Sequence, residues 1–362
     1  MAIEQLTSNA FRNFIETFPS VHSKRVYKNN LKLYMQYRGA TEYEQLLEGD
    51  PRLLQSQVIE YILHLRNQNT LTGRSINTRL SAIQKFYETN DVELKWKKIK
   101  TYIGSRRKKM KDRAYTHEEI AKMIEKADQR ERLVVLLMCS SGMRVGALPF
   151  LKIRNPERID KYSLYKITIY ENEDDEYITF CTPECAKVID SYLEFRQRHG
   201  ERIKEDAPLI REEFYINDEI HAARPRHLSY FLFRMMVQKL RKKSGVIEKL
   251  PKRTQRQVME SHGFRKFFQT EAIKSGMNPL YSEFLLGHKS GGLAIESYLK
   301  PTETDLLEGN DKMTGYVGII DALTINEENK IRREVETLRV EKNSWESLRE
   351  EVEGLKAVLN KG

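Results

Sequence analysis

In these 362 residues only one stretch alternates apolar and polar side chains at the period of a β-strand. It runs from Ser163 to Cys181, where SLYKITIY and EYITFC flank the acidic turn ENEDDE. Two alternating arms around a short polar turn read as a hairpin. The other patterned stretches repeat apolar residues at spacings of three and four, the period of a helix. The chain is therefore expected to be mostly α with a small β-hairpin. Thr182-Pro183 caps a helix directly after it, through Tyr192 and Phe195.

Residues 1–100 read as helices joined by short turns. Tyr27, Leu31 and Tyr34/Met35 form one stripe, Val58, Ile62 and Leu65 a second, and Ile76, Leu80, Ile83 and Phe86/Tyr87 a third. Asp50-Pro51 marks a helix start, with proline at the first helical position. Lysines and arginines lie between the stripes, from Lys24 to Lys85. From Lys95 to Arg113 the chain carries ten basic residues and one acid. That run reads as a linker rather than an element, with Arg106, Arg107, Lys108 and Lys109 as candidate phosphate contacts.

Tyr115 opens the second domain, and Thr116 with Glu119 forms a capping box. The apolar run Leu133–Met138 reads as a buried helix stopped at Gly142, with Arg144 just beyond. Taken alone, Arg144 is an ordinary surface arginine. Residues 224–257 carry a basic helix with Arg234, Lys239, Arg241, Lys242 and Lys243, then Lys252, Arg253 and Arg256. Beyond Asp321 composition shifts to Glu, Lys and Arg. Val335, Leu338, Trp345, Leu348, Val352 and Leu355 then follow heptad spacing with a phase slip near Lys342. The expected organisation is a helical domain over 1–100, a basic linker over 101–113, an α+β domain over 114–320 and a coiled-coil-like helix over 326–362.

A net charge of +10 and a pI near 9.2 suggest a polyanionic partner. Cys139, Cys181 and Cys185 are odd in number and poorly spaced for a metal, which fits free thiols in a reducing compartment. No apolar run approaches the ~20 residues of a membrane span, and the N-terminus lacks a secretory apolar core. A cytoplasmic protein is expected.

The chemistry-bearing stretch is Ser261 to Tyr298, SHGFRKFFQTEAIKSGMNPLYSEFLLGHKSGGLAIESY. His262 and Arg265 are three apart and share a helix face, while Phe264, Phe268 and Ala272 repeat on another. Asn278-Pro279 breaks the chain. A short apolar helix ending in FLLG delivers His288, and Tyr298 follows two glycines. Two histidines, an arginine and a tyrosine on short, sharply stopped helices suit the handling of a phosphate.

HGFRK, LLGHKS and Tyr298 resemble the HxxR, LGH and nucleophile-tyrosine boxes of the tyrosine recombinases, the phage-integrase and Xer class. CSSGMRVGALPFL resembles that family's arginine box and supplies Arg144. The resemblance covers roughly residues 1–315, and the order and separation of four boxes make it specific. It implies a core-binding domain clamping duplex DNA, an α+β catalytic domain, and an oligomer on DNA, a tetramer of identical chains. One departure stands out. The family places a general-acid lysine at or near the hairpin turn, and Glu171–Glu176 contains none. Lys161 and Lys166, before the turn, are the substitutes on offer.

The resemblance implies that Tyr298 attacks a DNA phosphate and forms a 3′-phosphotyrosyl bond. Arg144 and Arg265 would bind the non-bridging oxygens with their forked guanidinium groups. His262 would act as base or orienter, and His288 would hydrogen-bond the phosphate. Two such cations remove the need for a metal, and no cofactor is expected. Two other functions share these residues. A type IB topoisomerase would use the same chemistry to relax DNA, and a DNA-binding protein that has lost catalysis would fit the lysine-free turn.

Overall fold

The computed structural model describes residues 9–104, 113–213, 219–246, 258, 260–288, 301–310 and 312–326. The chain divides into two compact units, Met1–Met110 and Lys111–Gly362. Tyr298, Arg106–Lys109 and the heptad-spaced tail lie outside the described residues.

The first unit is helical: α1 (Asn9–Ile15), α2 (Val21–Tyr37), α3 (Pro51–Asn67), α4 (Gly73–Thr89) and α5 (Trp96–Thr101). Asp50 caps α3 by accepting from the amides of Arg52 and Leu53, as Asp before Pro does at a helix start. Leu31, Tyr34, Val58, Ile62, Leu65, Ile76, Leu80, Ile83 and Phe86 are buried in one core, so all three expected stripes face inward. Tyr87 donates its hydroxyl to the Leu46 carbonyl at 2.9 Å, which satisfies a polar group inside that core. The linker expectation fails at its start. Trp96–Thr101 forms a helix, Ile99 is fully buried, and Trp96, Tyr102 and Ile103 pack beside it. These residues recur at helical spacing, and the lysines between them kept that pattern from view.

The second unit begins at Tyr115. The expected capping box forms, Thr116 with Glu119 before α6 (His117–Lys126), and a second, Asp128 with Glu131, precedes α7 (Gln129–Ser141). Every residue of α7 from Leu133 to Ser141 is buried. A helix apolar all round is a core helix, and the second core is built about it. The hairpin is present as β2 (Leu164–Ile169) and β3 (Tyr177–Cys181), antiparallel with Ile169 opposite Tyr177. It belongs to a three-stranded sheet, because β1 (Pro156–Ile159) pairs antiparallel with β2. Four residues reading PERI give no alternation, so this strand had no sequence signal. Then come α8 (Pro183–Arg198), α9 (Glu219–Ala223), α10 (Tyr230–Lys243), α11 (His262–Lys274) and α12 (Pro279–Leu285).

Two findings correct the sequence reading, and a third lies outside it. Arg241 on α10, read as part of a basic helix facing DNA, is not available to a partner. It is 3% exposed, over the ring of Tyr115 at 5.5 Å. The packed body also runs past residue 320, since Leu323, Thr324 and Ile325 are buried in it. Glu184 accepts from the amides of Ile325 and Asn326, and the His117 ring donates to the Ala322 carbonyl at 2.7 Å. Finally, Arg196, Glu201 and Arg211 form a buried ionic cluster after α8, with Glu201 accepting from both arginines. No helix among the described residues is long and apolar enough to cross a membrane.

Candidate active site

The site begins at the end of α7. The last carbonyls of a helix have no partner within it, and here three successive ones are taken by side chains from distant elements. Tyr316 donates its hydroxyl to the Ser140 carbonyl at 2.8 Å, and Thr179 on β3 donates to Ser141 at 2.9 Å. Arg265 on α11 donates Nη1 to Gly142 at 2.8 Å. Gly142 stops the helix in the left-handed region, φ 65°, and a Cβ there would come within 2.7 Å of Leu286 and Phe268. Glycine is therefore required twice over, by conformation and by space. The next turn carries Arg144.

A second helix end meets the first. Asn278 caps α12 by accepting from the Leu280 amide, and the helix closes in a Schellman motif. The amide of Gly287 bonds Phe284 and that of His288 bonds Glu283, with Gly287 at φ 59°. Arg265 donates its other Nη to the Leu286 carbonyl, and Arg144 donates Nη1 to Gly287 at 3.1 Å. Arg265 is thus a 5% exposed cation bridging two helix C-termini, whose partial negative charge favours it. Arg144 beside it is exposed. Burial first, and then the charge of Arg144, push the Arg265 pKa down to about 10, so Arg265 remains a cation at neutral pH. The pair holds like charges close together, which an anion would relieve.

His288 follows the Schellman glycine. Its Nδ1 lies 2.5 Å from Glu283 Oε2, and the other oxygen of Glu283 accepts from Gln269 Nε2 at 2.7 Å. The ring is fixed through Nδ1, leaving Nε2 for a ligand. His262, exposed, is the first residue of α11 one turn before Arg265. Arg144, Arg265 and His288 are therefore gathered at two meeting helix ends, with His262 at the start of the helix that carries Arg265.

The other residues singled out fall elsewhere. Lys161 is bound to Glu308 at 2.8 Å, and Lys166 to Glu157 and Glu303 at 2.8 and 3.0 Å. Lys166 is three residues, about 10 Å along a strand, before the Ile169 that pairs with Tyr177. Tyr281 and Tyr316, the tyrosines on either side of Tyr298 in the sequence, are 3% and 0% exposed and sit in the core. Among the described residues, no group of three or more His, Cys, Asp or Glu side chains is placed to hold a metal ion.

Three residues of the site had not been singled out. Glu283 could have been found, because a Schellman motif brings the residue five before His288 back to it. Tyr170 and Tyr177, at the two ends of the acidic turn, feel Arg144 and Arg265, and burial raises both phenol pKa values against those charges. Their alternation pointed to a sheet face, not to a site.

A model of the phage integrase family matches residues 113–304. The chain is 26% identical over 278 residues to tyrosine recombinase XerC of Thermodesulfovibrio yellowstonii, covering 75% of this chain and 83% of that one. It is 22% identical over 286 residues to tyrosine recombinase XerA of Pyrococcus horikoshii, covering 79% and 87%. The fold is similar to XerH site-specific recombinase bound to palindromic difH substrate in a post-cleavage complex, with TM-score 0.54 at 16% identity. That likeness covers 75% of this chain and 74% of that one. The match spans the arginine box, the hairpin, HGFRK, LLGHKS and Tyr298, and by it the chain belongs to the phage integrase family and is a tyrosine recombinase.

Proposed function

We propose that this tyrosine recombinase cuts and rejoins DNA at specific sites through a 3′-phosphotyrosyl intermediate, with Tyr298 as nucleophile. The observation that carries the reading is the convergence of Arg144 and Arg265, from boxes far apart in the chain, on one pair of helix ends beside His288. Two fork-shaped cations there suit the non-bridging oxygens of a phosphodiester. Tyr298 loses its proton to His262 as it attacks, and His288, held by Glu283, hydrogen-bonds the phosphate. The phosphotyrosyl bond keeps the energy of the bond it replaces, and the 5′-hydroxyl of another strand reverses the step. Exchange on this scheme needs neither ATP nor a metal. The first unit and Arg106–Lys109 would hold the duplex, four chains would assemble on paired sites, and the work would be done in the cytoplasm, where the DNA is.

Covalent capture tests this. The protein is incubated with a pool of nicked random-sequence duplexes, and the DNA that becomes linked is sequenced. Wild type should enrich one sequence family, and Tyr298→Phe should bind the same duplexes without linkage. A linked Tyr298→Phe adduct would remove Tyr298 from its role. Recombinant products from two captured sites, rather than relaxed circles, separate a recombinase from a topoisomerase.

A further inference from the structure

Tyr177 is a part of the site that the roles above leave unused. It opens β3, and its ring lies where a Cβ on Gly287 would come within 2.4 Å. Its hydroxyl is buried, and its proton has no acceptor. Arg265 and Arg144 both act on it electrostatically. Buried hydroxyl protons nearly always find an acceptor, and leaving one without costs stability. A donor kept unpaired beside two phosphate-binding cations is placed to serve an oxygen that those cations hold.

The turn that carries it is fixed. Glu171 accepts from Arg154 at 3.0 Å and from Asn155 at 3.1 Å, and Asn172 donates its amide to Glu176. Tyr170, across the turn with its ring centre 6.4 Å from that of Tyr177, is held at φ 55°, a strained value for an aromatic residue. Lys161 and Lys166, meanwhile, are tied to carboxylates. The turn that lacks a lysine is flanked by two phenols facing the arginine pair.

We propose that Tyr177 is the general acid of strand cleavage, giving its phenolic proton to the leaving 5′ oxygen. This rests on the phosphotyrosine reading above. In the step, a bond forms between Tyr298 Oη and phosphorus while the bond from phosphorus to the 5′ oxygen breaks. The Tyr298 proton passes to His262, and the Tyr177 proton passes to the departing oxygen. The Tyr177 phenolate is left against Arg265 and Arg144, and takes the proton back from the 5′-hydroxyl that attacks during ligation. A phenol is ordinarily a far stronger acid than the alcohol released, and the charges of Arg265 and Arg144 oppose the rise in phenol pKa that burial causes. Access follows from Arg144. Its fork gives up the Gly287 carbonyl when it turns to a phosphate, and Gly287 is the residue against which Tyr177 packs.

The test uses the duplex found by covalent capture, made once with the ordinary 5′ bridging oxygen and once with sulfur in its place. A thiolate leaves without a proton. Tyr177→Phe should cleave the oxygen substrate about 10²–10⁴-fold more slowly than wild type, the usual worth of general acid catalysis. It should cleave the sulfur substrate at close to the wild-type rate, with DNA affinity unchanged. Equal loss on both substrates would make Tyr177 a structural residue, and no loss on either would remove it from the reaction. Rescue seen for Tyr170→Phe instead would move the role across the turn. Should Tyr177→Phe misfold, 3-fluorotyrosine at 177 keeps the shape; only the oxygen-substrate rate should then change, and equal change on both would overturn the assignment. Wild type capturing no duplex from the random pool would overturn the phosphotyrosine reading itself, a result distinct from any of these.

Discussion

Arg265 Nη1 donates to the Gly142 carbonyl at 2.8 Å, so the arginine of one sequence box closes the helix from which the arginine of the other emerges. The two phosphate-binding candidates therefore differ in what they do for the fold. Arg144 is exposed and bonded to one carbonyl, whereas Arg265 is buried between two helix ends.

This difference separates two substitutions that look alike in sequence. Arg144→Ala should lower the rate of covalent linkage about 10²–10³-fold, the worth of one oxyanion contact, with little change in DNA affinity. Its DNA-free stability should hold or rise, because a like charge beside Arg265 is removed. Arg265→Ala should also unfold at lower denaturant, by about 2–5 kcal/mol, from lost charged hydrogen bonds and a cavity. Single-turnover linkage and urea unfolding measure both. Equal stability of the two variants would contradict the burial of Arg265.

Glu283 should act through His288. Glu283→Ala and His288→Ala should each slow linkage, and the double variant should be no slower than His288→Ala alone. The coupling, measured by a double-mutant cycle, should fall in the range of about 0.5–3 kcal/mol found for contacting residues. Additive losses would mean that the 2.5 Å contact does not serve the reaction.

Where the chain is cut should matter sharply. Ending it after Gly318 removes Ile319, Ile320, Leu323 and Ile325 from the core. Each buried apolar side chain is worth about 1.5–3 kcal/mol, so that truncation should be strongly destabilised. Ending it after Asn326 should leave folding and single-strand cleavage intact. Sedimentation of that truncated protein against the full chain then tests whether the heptad-spaced tail self-associates; identical masses would exclude it.

Neutralising Arg106, Arg107, Lys108 and Lys109 together should flatten the salt dependence of duplex binding. Four lost phosphate contacts reduce the log–log slope by as much as about 3.6. Titrations at several salt concentrations read it directly, and an unchanged slope would make the run a solvated tether.

The helix stops and most of the elements were legible in the sequence. Thr116, Asp50 and Asn278 cap their helices because a short polar side chain satisfies orphan amides locally, and Gly142 and Gly287 end theirs because only glycine takes positive φ at little cost. The hairpin, the three helical stripes of the first unit and the order of the boxes were legible for the same reason, since each depends on neighbours within a few residues. Which charges are buried came only from packing. Arg265 and Arg241 carry the same side chain as Arg144, yet their surroundings come from remote segments, the carbonyls of Gly142 and Leu286 for one and the Tyr115 ring for the other. The strand Pro156–Ile159, the packing of Ile319–Ile325 and the unpaired hydroxyl proton of Tyr177 also depend on partners far along the chain. Periodicity shows that a face is covered; what covers it is settled when distant segments meet.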